Sequence, residues 1–268
     1  MQFLNTFNIR KFKQIEVWLL RILISNDDGI SAIGIHALAE VFCQNNEVVV
    51  CAPDIERSAC SHSVTTFTPL RIKMYDMGLP LTAYSCNGTP ADCVIFALNE
   101  LINEKPDLVI SGINAGGNLG QDVLYSGTVS AALEGAIHGI KSIAISLVMH
   151  NKTTSYQPSA KFLYDFIEKN GIEFLEDGTV LNINVPPDEQ PNDFKICKLG
   201  QYQYDLKYDK RQDTAGREYY WMDAKYSQEN LSDIDTDLHY IKQGYVTLTP
   251  LRYNLTDESL LNKLKERV

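Results

Sequence analysis

Residues 21–29 read RILISNDDG, and this stretch decides the fold prediction for the chain. Its first part, Arg21 to Ser25, is a short apolar run of the length expected for a buried strand. The next four residues, Asn26, Asp27, Asp28 and Gly29, predict a polar turn. The next segment has apolar residues at helical spacing, namely Ile35, Leu38, Ala39 and Phe42. A strand, a polar turn and an amphipathic helix in this order predict the opening unit of an α/β fold.

The same alternation of strand and helix continues downstream. Residues 47–52 read EVVVCA, a continuous apolar run that is typical of a parallel strand buried on both faces. Periodicity then predicts three more helices and three more strands in turn, at residues 90–103, 108–111, 128–139, 142–147, 162–167 and 180–185. The predicted fold class is therefore α/β, with a mostly parallel, doubly wound sheet whose ligands bind beyond the carboxyl ends of the strands.

The character of the sequence changes after about residue 190. The segment becomes rich in tyrosine and polar residues, with short strand-like pieces at 218–222 and 245–249 and a helical pattern at 257–266. Such aromatic content suits a subunit interface. We therefore predict three parts: an N-terminal extension outside the core at residues 1–19, an α/β core at 20–190, and hairpins with a C-terminal arm at 191–268. That last part would complete the core and serve oligomerisation.

Charge and composition exclude several classes of protein. The chain has 268 residues and a formal net charge of −10, which opposes binding to duplex DNA or RNA and to anionic membranes. Its six cysteines form no CxxC pair and are interpreted as reduced structural thiols. The apolar stretch 15–24 is interrupted by Glu16 and Arg21 and lacks a signal-peptide cleavage site. We therefore predict a cytoplasmic protein without a membrane span.

Polar residues are concentrated in three loops, at 26–29, 53–66 and 111–128. Each loop follows a predicted parallel strand, so all three are expected at one edge of the sheet. Asp27 and Asp28 repel each other there unless a cation or a shared proton relieves their charge. No His or Cys cluster accompanies them, which favours a hard divalent ion over zinc. The alternative is that one carboxylate caps a helix while its neighbour is solvated.

The third loop, SGINAGGNLGQDVLYSGT, adds further candidates. Asn114 is a neutral oxygen donor on a backbone that glycines allow to approach a ligand closely. Ser126, Gly127 and Thr128 open a helix, whose free N–H groups would suit a phosphate. The alternative for this loop is a flexible surface segment. Asp92, at the start of the predicted helix 90–103, is expected either to close the substrate pocket or simply to cap that helix.

The histidines and the common nucleotide-binding motifs give less information about function than the polar loops do. His62 lies in the second polar loop and is a candidate general acid or phosphate ligand. The sequence has no GxxxxGK[ST] motif and no GxGxxG motif after a strand, which excludes a P-loop and a dinucleotide fingerprint. A GxSxG nucleophile elbow is also absent. The polar loops themselves therefore hold the strongest functional signal.

Five stretches of the chain resemble one family: RILISNDDGISAIGI, APDIERSACSHSVT, NGTPADCV, PDLVISGINAGGNLGQDVLYSGTVSAALEG and QGYVTLTPL. They are similar to the SurE family of stationary-phase survival proteins, which are 5'/3'-nucleotidases. The resemblance covers residues 20–250. It implies a Rossmann-like core with a swapped C-terminal arm, assembled as a homodimer or homotetramer. It also implies that the substrates are nucleoside 5'- and 3'-monophosphates, with short polyphosphate as a further substrate of some members.

The resemblance further implies one divalent ion per subunit, Mg²⁺ or Mn²⁺. The ligands that match the family pattern are Asp27, Asp28, Ser58 and Asn114. On this basis we expect a metal-activated water to attack the phosphorus directly, with Asp27 accepting a proton and Asp28 as the alternative. Asn114, Ser126, Gly127 and Thr128 would orient the phosphate. Three features depart from the family pattern. Residues 1–19 precede the usual start, and His239 replaces a common aromatic residue. The loop 60–63 varies within the family, so the resemblance does not imply a catalytic His62.

Two other functions fit parts of the pattern. Receiver domains also place an acidic pair after the first strand, but they are about half as long and need a further Asp and a Lys after later strands. This chain has Asn114 in the central loop instead. A nucleotide-binding or phosphate-binding regulator without catalysis would use the same site residues, and only a measurement of turnover separates it from an enzyme.

Overall fold

The structure is a computed structural model, and it describes residues 19–148, 155–187, 193–202, 204–226 and 234–267. The predicted N-terminal extension, residues 1–19, lies outside the described residues except for Leu19. The elements are β1 Arg21–Ser25, α1 Ile33–Phe42, β2 Glu47–Pro53, β3 Ile72–Met74, β4 Thr82–Cys86, α2 Pro90–Phe96, β5 Leu108–Ala115, α3 Gly127–Ile137, β6 Lys141–Leu147, α4 Gln157–Asn170, β7 Thr179–Val185, β8 Phe194–Ile196, β9 Tyr204–Gln212, β10 Glu218–Tyr226, α5 Asp237–Ile241, β11 Val246–Arg252 and α6 Glu258–Lys265.

All the described strands except β9 and β10 form a 9-stranded sheet in the order β3-β4-β2-β1-β5-β6-β7-β11-β8. The strands from β4 to β7 run parallel to one another. β3 is antiparallel to β4, and β11 is antiparallel to β7. β9 and β10 form a separate antiparallel hairpin. The prediction of a mostly parallel α/β sheet is therefore confirmed.

Side chains of β1 show why the sheet is covered on both faces. Ile22 and Ile24 pack in the cluster that contains residues of α1 and α4. Leu23 points the other way, into the cluster that contains residues of α2 and α3. All three are almost completely buried. Because side chains alternate along a strand, a run without polar residues requires helices on both faces, which is the doubly wound arrangement.

The topology brings the three polar loops together. β1 lies between β2 and β5, and Ile22 is the register partner of both Val48 and Leu108. All three strands run in the same direction, so their carboxyl ends meet at one edge of the sheet. The chain order changes direction at β1, since β2 lies on one side and β5 on the other. The edge of the sheet at the carboxyl ends of β1, β2 and β5 is therefore where the sequence predicts the site.

Several elements differ from the prediction. β3 and β4 were not predicted, because the β4 sequence TAYSC has too few apolar residues to signal a strand. The predicted helix 90–103 consists of α2 followed by a π-helical turn, Ala97–Leu101. β5 extends beyond Ser111 to Ala115, with a register shift between Ser111 and Asn114. Asn114 therefore lies at the end of a strand and not in an open loop.

Two further expectations concern the whole chain. The cysteines are all free, as predicted, and Cys51, Cys86, Cys93 and Cys197 are buried. Over the residues that the structure describes, no helix has the length and apolar character needed to cross a membrane.

Candidate active site

Asp27 lies directly beyond β1 and is held by the start of α3. Its side chain is buried, with Asp27 only 4% exposed, and the hydroxyl of Thr128 donates a hydrogen bond to its carboxylate. The backbone N–H groups of Gly127 and Thr128 also bond it. Burial nevertheless raises the pKa of Asp27 above its usual value, and these hydrogen bonds offset only part of the effect.

Gly127 is required for this close contact. A Cβ atom at Gly127 would lie 2.8 Å from Asp27 Cβ, 2.9 Å from Asp27 Oδ2 and 3.0 Å from Cys60 Sγ. These distances are shorter than van der Waals contact allows. Glycine therefore lets the first turn of α3 approach the carboxylate.

Asp28 is the second carboxylate of the pair, and it is half-buried. It accepts a 2.9 Å hydrogen bond from the backbone N–H of Ala115, at the end of β5. Burial raises the pKa of Asp28 to about 6, and the charges of Asp27 and Glu56 add to this effect. The two neighbouring carboxylates therefore both resist ionisation in the absence of a compensating charge.

A bound divalent cation fits these observations. The side-chain oxygens Ser25 Oγ, Asn26 Oδ1 and Ser111 Oγ are buried without a protein partner at the same strand ends. The described residues include no cluster of three His, Cys, Asp or Glu side chains placed to hold a metal. A site here consists instead of two carboxylates with neutral oxygens, which is the ligand chemistry that Mg²⁺ and Mn²⁺ prefer.

Ser58 and Asn114 lie with Asp27 on the wall of one cavity of about 490 Å³. Ser58 Oγ donates a 2.6 Å hydrogen bond to Glu56 Oε1. Asn114 Nδ2 donates to the carbonyl of Gly116 at 2.8 Å, so the amide oxygen is on the side facing away from that carbonyl. The structure thus brings Asp27, Ser58 and Asn114 together at one cavity, and Asp28 is tied to the residue after Asn114.

The sequence did not indicate several other residues that line this cavity. Its wall also includes Asp122, Tyr125, Tyr204, Leu206 and Met222. Tyr204, Leu206 and Met222 belong to the β9–β10 hairpin, which we expected to complete the core and to serve oligomerisation. A signal was present in the alternation of apolar and charged residues along β9, YDLKYDKRQ.

The three residues at the start of α3 have different environments. Ser126 lines the cavity, and its hydroxyl accepts a 3.0 Å hydrogen bond from the N–H of Val129, which makes it the N-cap. Thr128 is fully buried and bonds Asp27. The N–H groups expected to face a phosphate are thus directed at Asp27 in the case of Gly127 and Thr128. A phosphate role for these residues stays a prediction.

Asp92 does not lie on the cavity with the other candidates. Its carboxylate accepts hydrogen bonds from the N–H of Thr89 at 2.8 Å and from the N–H of Thr65 at 2.9 Å. Thr89 Oγ1 in turn accepts from the N–H of Asp92, which completes a capping box at the start of α2. These contacts favour the capping alternative over contact with substrate.

Replacing this carboxylate should therefore affect folding more than substrate binding. We expect Asp92→Ala to lower the free energy of unfolding by about 1–3 kcal/mol, since it removes a cap and leaves the partly buried N–H groups of Thr65 and Thr89 without acceptors. Urea titration and steady-state kinetics check this. The control is Asp257→Ala, which removes the N-cap of the exposed helix α6. A tenfold rise in KM without a stability change would instead assign Asp92 to the substrate.

His62 is directed away from the carboxylate pair. Its Nε2 lies 2.6 Å from Glu134 Oε2, and Glu134 also contacts His138 Nδ1 at 3.3 Å. His62 lines a different cavity, between α3 and β11. Its side chain therefore anchors the second polar loop on α3, and this contact does not support the role of a general acid.

We accordingly expect His62→Gln to keep kcat within about tenfold of the unsubstituted protein. Glutamine preserves a hydrogen bond to Glu134 but cannot transfer a proton, whereas loss of a general acid costs about a hundredfold or more. Single-turnover and steady-state phosphate release measure the effect. A hundredfold decrease in kcat would restore His62 to the list of catalytic groups.

The chain is similar to known proteins over most of its length. The profile of a family described as "Survival protein SurE" matches residues 22–206. The chain is 47% identical over 248 residues to the 5'-nucleotidase SurE of Pelotomaculum thermopropionicum, covering 92% of this chain and 95% of that protein. It is 48% identical over 255 residues to the 5'-nucleotidase SurE of Natranaerobius thermophilus, covering 91% and 97%.

A solved structure gives the same result for the fold. The crystal structure of the SurE protein from Aquifex aeolicus is similar with a TM-score of 0.79 and 36% sequence identity, and the match covers 92% of this chain and 99% of that chain. Sequence and fold therefore agree over most of the chain, which belongs to the SurE family.

Proposed function

We propose that this protein is a divalent-metal-dependent phosphatase that hydrolyses nucleoside 5'- and 3'-monophosphates to a nucleoside and phosphate. The observation that carries the proposal is the pair of adjacent carboxylates, Asp27 and Asp28, with raised pKa values at the edge of a cavity. Ser58 and Asn114 lie on the same wall as Asp27. The names of the relatives, 5'-nucleotidase SurE, supply the substrate class.

In this proposal Asp27, Asp28, Ser58 and Asn114 hold one Mg²⁺ or Mn²⁺ ion per subunit. When bound, such an ion offsets the charge that develops on the phosphoryl oxygens and lowers the pKa of water. Thr128 fixes the carboxylate of Asp27 by its hydroxyl, and Ala115 fixes that of Asp28 by its N–H. The ligands are therefore oriented before substrate enters, which limits reorganisation during the reaction.

The two carboxylates differ as acceptors of a proton from the attacking water. Asp27 is almost fully buried and bonded to Gly127 and Thr128. Asp28 is half-buried, with one backbone hydrogen bond from Ala115. Its greater exposure favours Asp28 over Asp27, the reverse of the sequence-based expectation, as the group that accepts the proton.

The site also argues against one of the two other functions, the receiver domain. About 490 Å³ is within the range of sites that enclose a small molecule the size of a nucleotide. A receiver domain needs a third carboxylate near the acidic pair, and the neighbouring strand end supplies Asn114 instead. A regulator without catalysis would bind the nucleotide without releasing phosphate, so turnover decides between regulator and enzyme.

The experiment is phosphate release from a panel of nucleoside 5'- and 3'-monophosphates and short polyphosphate. Metal is removed with a chelator, and Mg²⁺ or Mn²⁺ is then restored. We expect no release after chelation and recovery with either ion, with the panel ranking the substrates. Absence of release from every substrate with both ions would reject the proposal and support the non-catalytic regulator.

We also propose that the chain forms a homodimer or homotetramer through its C-terminal part. Helix α6 has no buried residue, although Leu260 and Leu264 lie on it. Trp221 on β10 is 62% exposed. Apolar side chains exposed in this way are typical of surfaces that another subunit covers. Size-exclusion chromatography with light scattering measures the mass, and a monomer at micromolar concentration would contradict the proposal.

A further inference from the structure

One face of the β9–β10 hairpin forms part of the cavity that contains Asp27. Tyr204 and Leu206 are two residues apart on β9, so they lie on the same face of the hairpin. Met222 on β10 is the register partner of Tyr208, which continues this face. Tyr204, Leu206 and Met222 all line the cavity. The hairpin thus presents an apolar and aromatic surface to a cavity that is also lined by the polar residues Asp27, Ser58 and Asn114.

The opposite face of the hairpin has a different character. On β9 it carries Asp205, Lys207, Asp209 and Arg211, which alternate with the residues of the first face. Trp221 pairs with Asp209 and lies on this second face. The residues of the first face that line the cavity are apolar or aromatic, although Lys210 and Glu218 lie farther along the same face. Exposure to solvent does not explain why residues 206 and 222 are apolar, since Leu206 is 49% exposed and Met222 is 61% exposed.

Tyr204 is held in a defined orientation. Its hydroxyl donates a hydrogen bond to the carboxylate of Asp122, which also lines the cavity. The ring of Tyr202 packs edge to face against it, with ring centroids 5.0 Å apart and an angle of 85°. The two hydroxyls lie 3.0 Å apart. An aromatic ring fixed at two points loses little conformational entropy when a ligand packs on it.

From this arrangement we propose that Tyr204, Leu206 and Met222 form the wall that contacts the nucleobase of the substrate. The hairpin would then set the preference for nucleotides over sugar phosphates that lack a base. This inference rests on the proposed function, because it takes the substrate to be a nucleoside monophosphate whose phosphate lies at the carboxylate end of the cavity. The inference places the base against the hairpin.

The chemistry of the lining residues supports assigning the phosphate to the carboxylates and the base to the hairpin. A phosphate monoester is anionic and needs the cation that Asp27, Ser58 and Asn114 are proposed to hold. A nucleobase is planar and uncharged at neutral pH, and it gains from contact with aromatic and apolar side chains. Stacking of this kind tolerates different bases, because every base has a π face. The wall therefore predicts a preference for a base without strong selection among bases.

The test compares adenosine 5'-monophosphate with ribose 5-phosphate, which has the same phosphate ester but no base. The kcat/KM values of both are measured with saturating Mn²⁺ for the unsubstituted protein, for Leu206→Ala, Met222→Ala and the double variant. We expect the unsubstituted protein to prefer the nucleotide. Each single substitution should lower the ratio of the two kcat/KM values by about tenfold, which is the lower end of the effect of removing apolar contact from a binding pocket.

Trp221→Ala is the matched control, because it removes a large exposed side chain from the opposite face of the same hairpin. We expect it to leave the ratio unchanged. Adenosine gives a second measurement, since it should inhibit hydrolysis of ribose 5-phosphate competitively, with an inhibition constant raised about tenfold in each single variant and further in the double variant. Light scattering of each variant records whether the subunit assembly changes.

Three outcomes would overturn the inference. The first is equal activity of the unsubstituted protein on both substrates. The second is an unchanged ratio in the Leu206 and Met222 variants. The third is an equal loss on both substrates together with a change in molecular mass, which would show that this face packs against a second copy of the chain. Each of these leaves phosphate release intact in the unsubstituted protein, whereas failure of the proposed function would abolish release from both substrates.

Discussion

Asp27→Asn should decrease phosphate release from nucleoside monophosphates by more than about a hundredfold. Groups that merely orient metal ligands contribute about 10–100-fold to metal affinity or activity, and a direct ligand is expected to contribute more. The amide keeps a hydrogen-bond acceptor for Thr128, which bonds the carboxylate in the structure. The change therefore removes the negative charge while keeping one acceptor oxygen for the Thr128 hydroxyl.

The same substitution should have the opposite effect on the metal-free fold. Burial raises the pKa of Asp27, so its ionised form is unfavourable in the folded protein without a cation. We expect the free energy of unfolding of metal-free Asp27→Asn to be equal to or higher than that of the unsubstituted protein. Adding Mn²⁺ should raise the Tm of the unsubstituted protein and leave that of the variant unchanged, because a ligand stabilises only the state that binds it.

Asp165→Asn is the control for this measurement. Asp165 is an exposed residue of α4 that pairs with Lys161, and its replacement should change neither activity nor the Mn²⁺-dependent shift in Tm. Full activity of Asp27→Asn with normal metal content would remove Asp27 from the site. A lower stability of the metal-free variant would show that the charge of Asp27 stabilises the fold.

Gly127→Ala should also decrease activity by about a hundredfold, although it changes no charge and no predicted metal ligand. The added Cβ would lie 2.8 Å from Asp27 Cβ and 2.9 Å from Oδ2, so either the carboxylate or the first turn of α3 must move. Displacing a catalytic group by about 1 Å can cost about a hundredfold in rate. Phosphate release and Mn²⁺ affinity by titration calorimetry measure the effect.

Gly135→Ala separates this effect from simple overpacking. Gly135 lies in the same helix, and its added Cβ would lie 2.6 Å from Ser142 Oγ and 2.8 Å from Val109 Cγ2, away from the carboxylate pair. We expect each alanine to lower the free energy of unfolding by about 1–3 kcal/mol. Only Gly127→Ala should reduce kcat and metal affinity. Equal kinetic effects in the two variants would show that α3 acts through stability alone.

The sequence predicted the fold where the signal depends on local periodicity. Continuous apolar runs such as 21–25 and 47–52 identified buried parallel strands, because a strand covered on both faces has no polar side chain to interrupt it. β4 was missed since its neighbours, and not its own composition, place TAYSC in the sheet. The long helix predicted at 90–103 changed at Ala97 because helical periodicity does not distinguish an α turn from a π turn.

The sequence indicated some residues of the candidate site, and only the structure could assign others. Asp27, Asp28 and Asn114 were found from sequence, because polar residues directly after parallel strands must collect at one edge of the sheet. Asp92 could not be assigned in that way. An acidic residue near a helix start has the same sequence pattern whether it contacts substrate or caps the helix, and only its bonds to Thr65 and Thr89 distinguish the two.

What the sequence by itself determined is therefore the order of strands and helices, the polar edge and the family resemblance, all of which depend on residues close together in the chain. The tertiary structure alone decided that Thr128 holds Asp27, although 101 residues separate them. It likewise brought Tyr204, Leu206 and Met222 to the cavity of Asp27. Such contacts depend on where the hairpin and α3 pack, and packing between distant segments leaves no periodic pattern in the sequence.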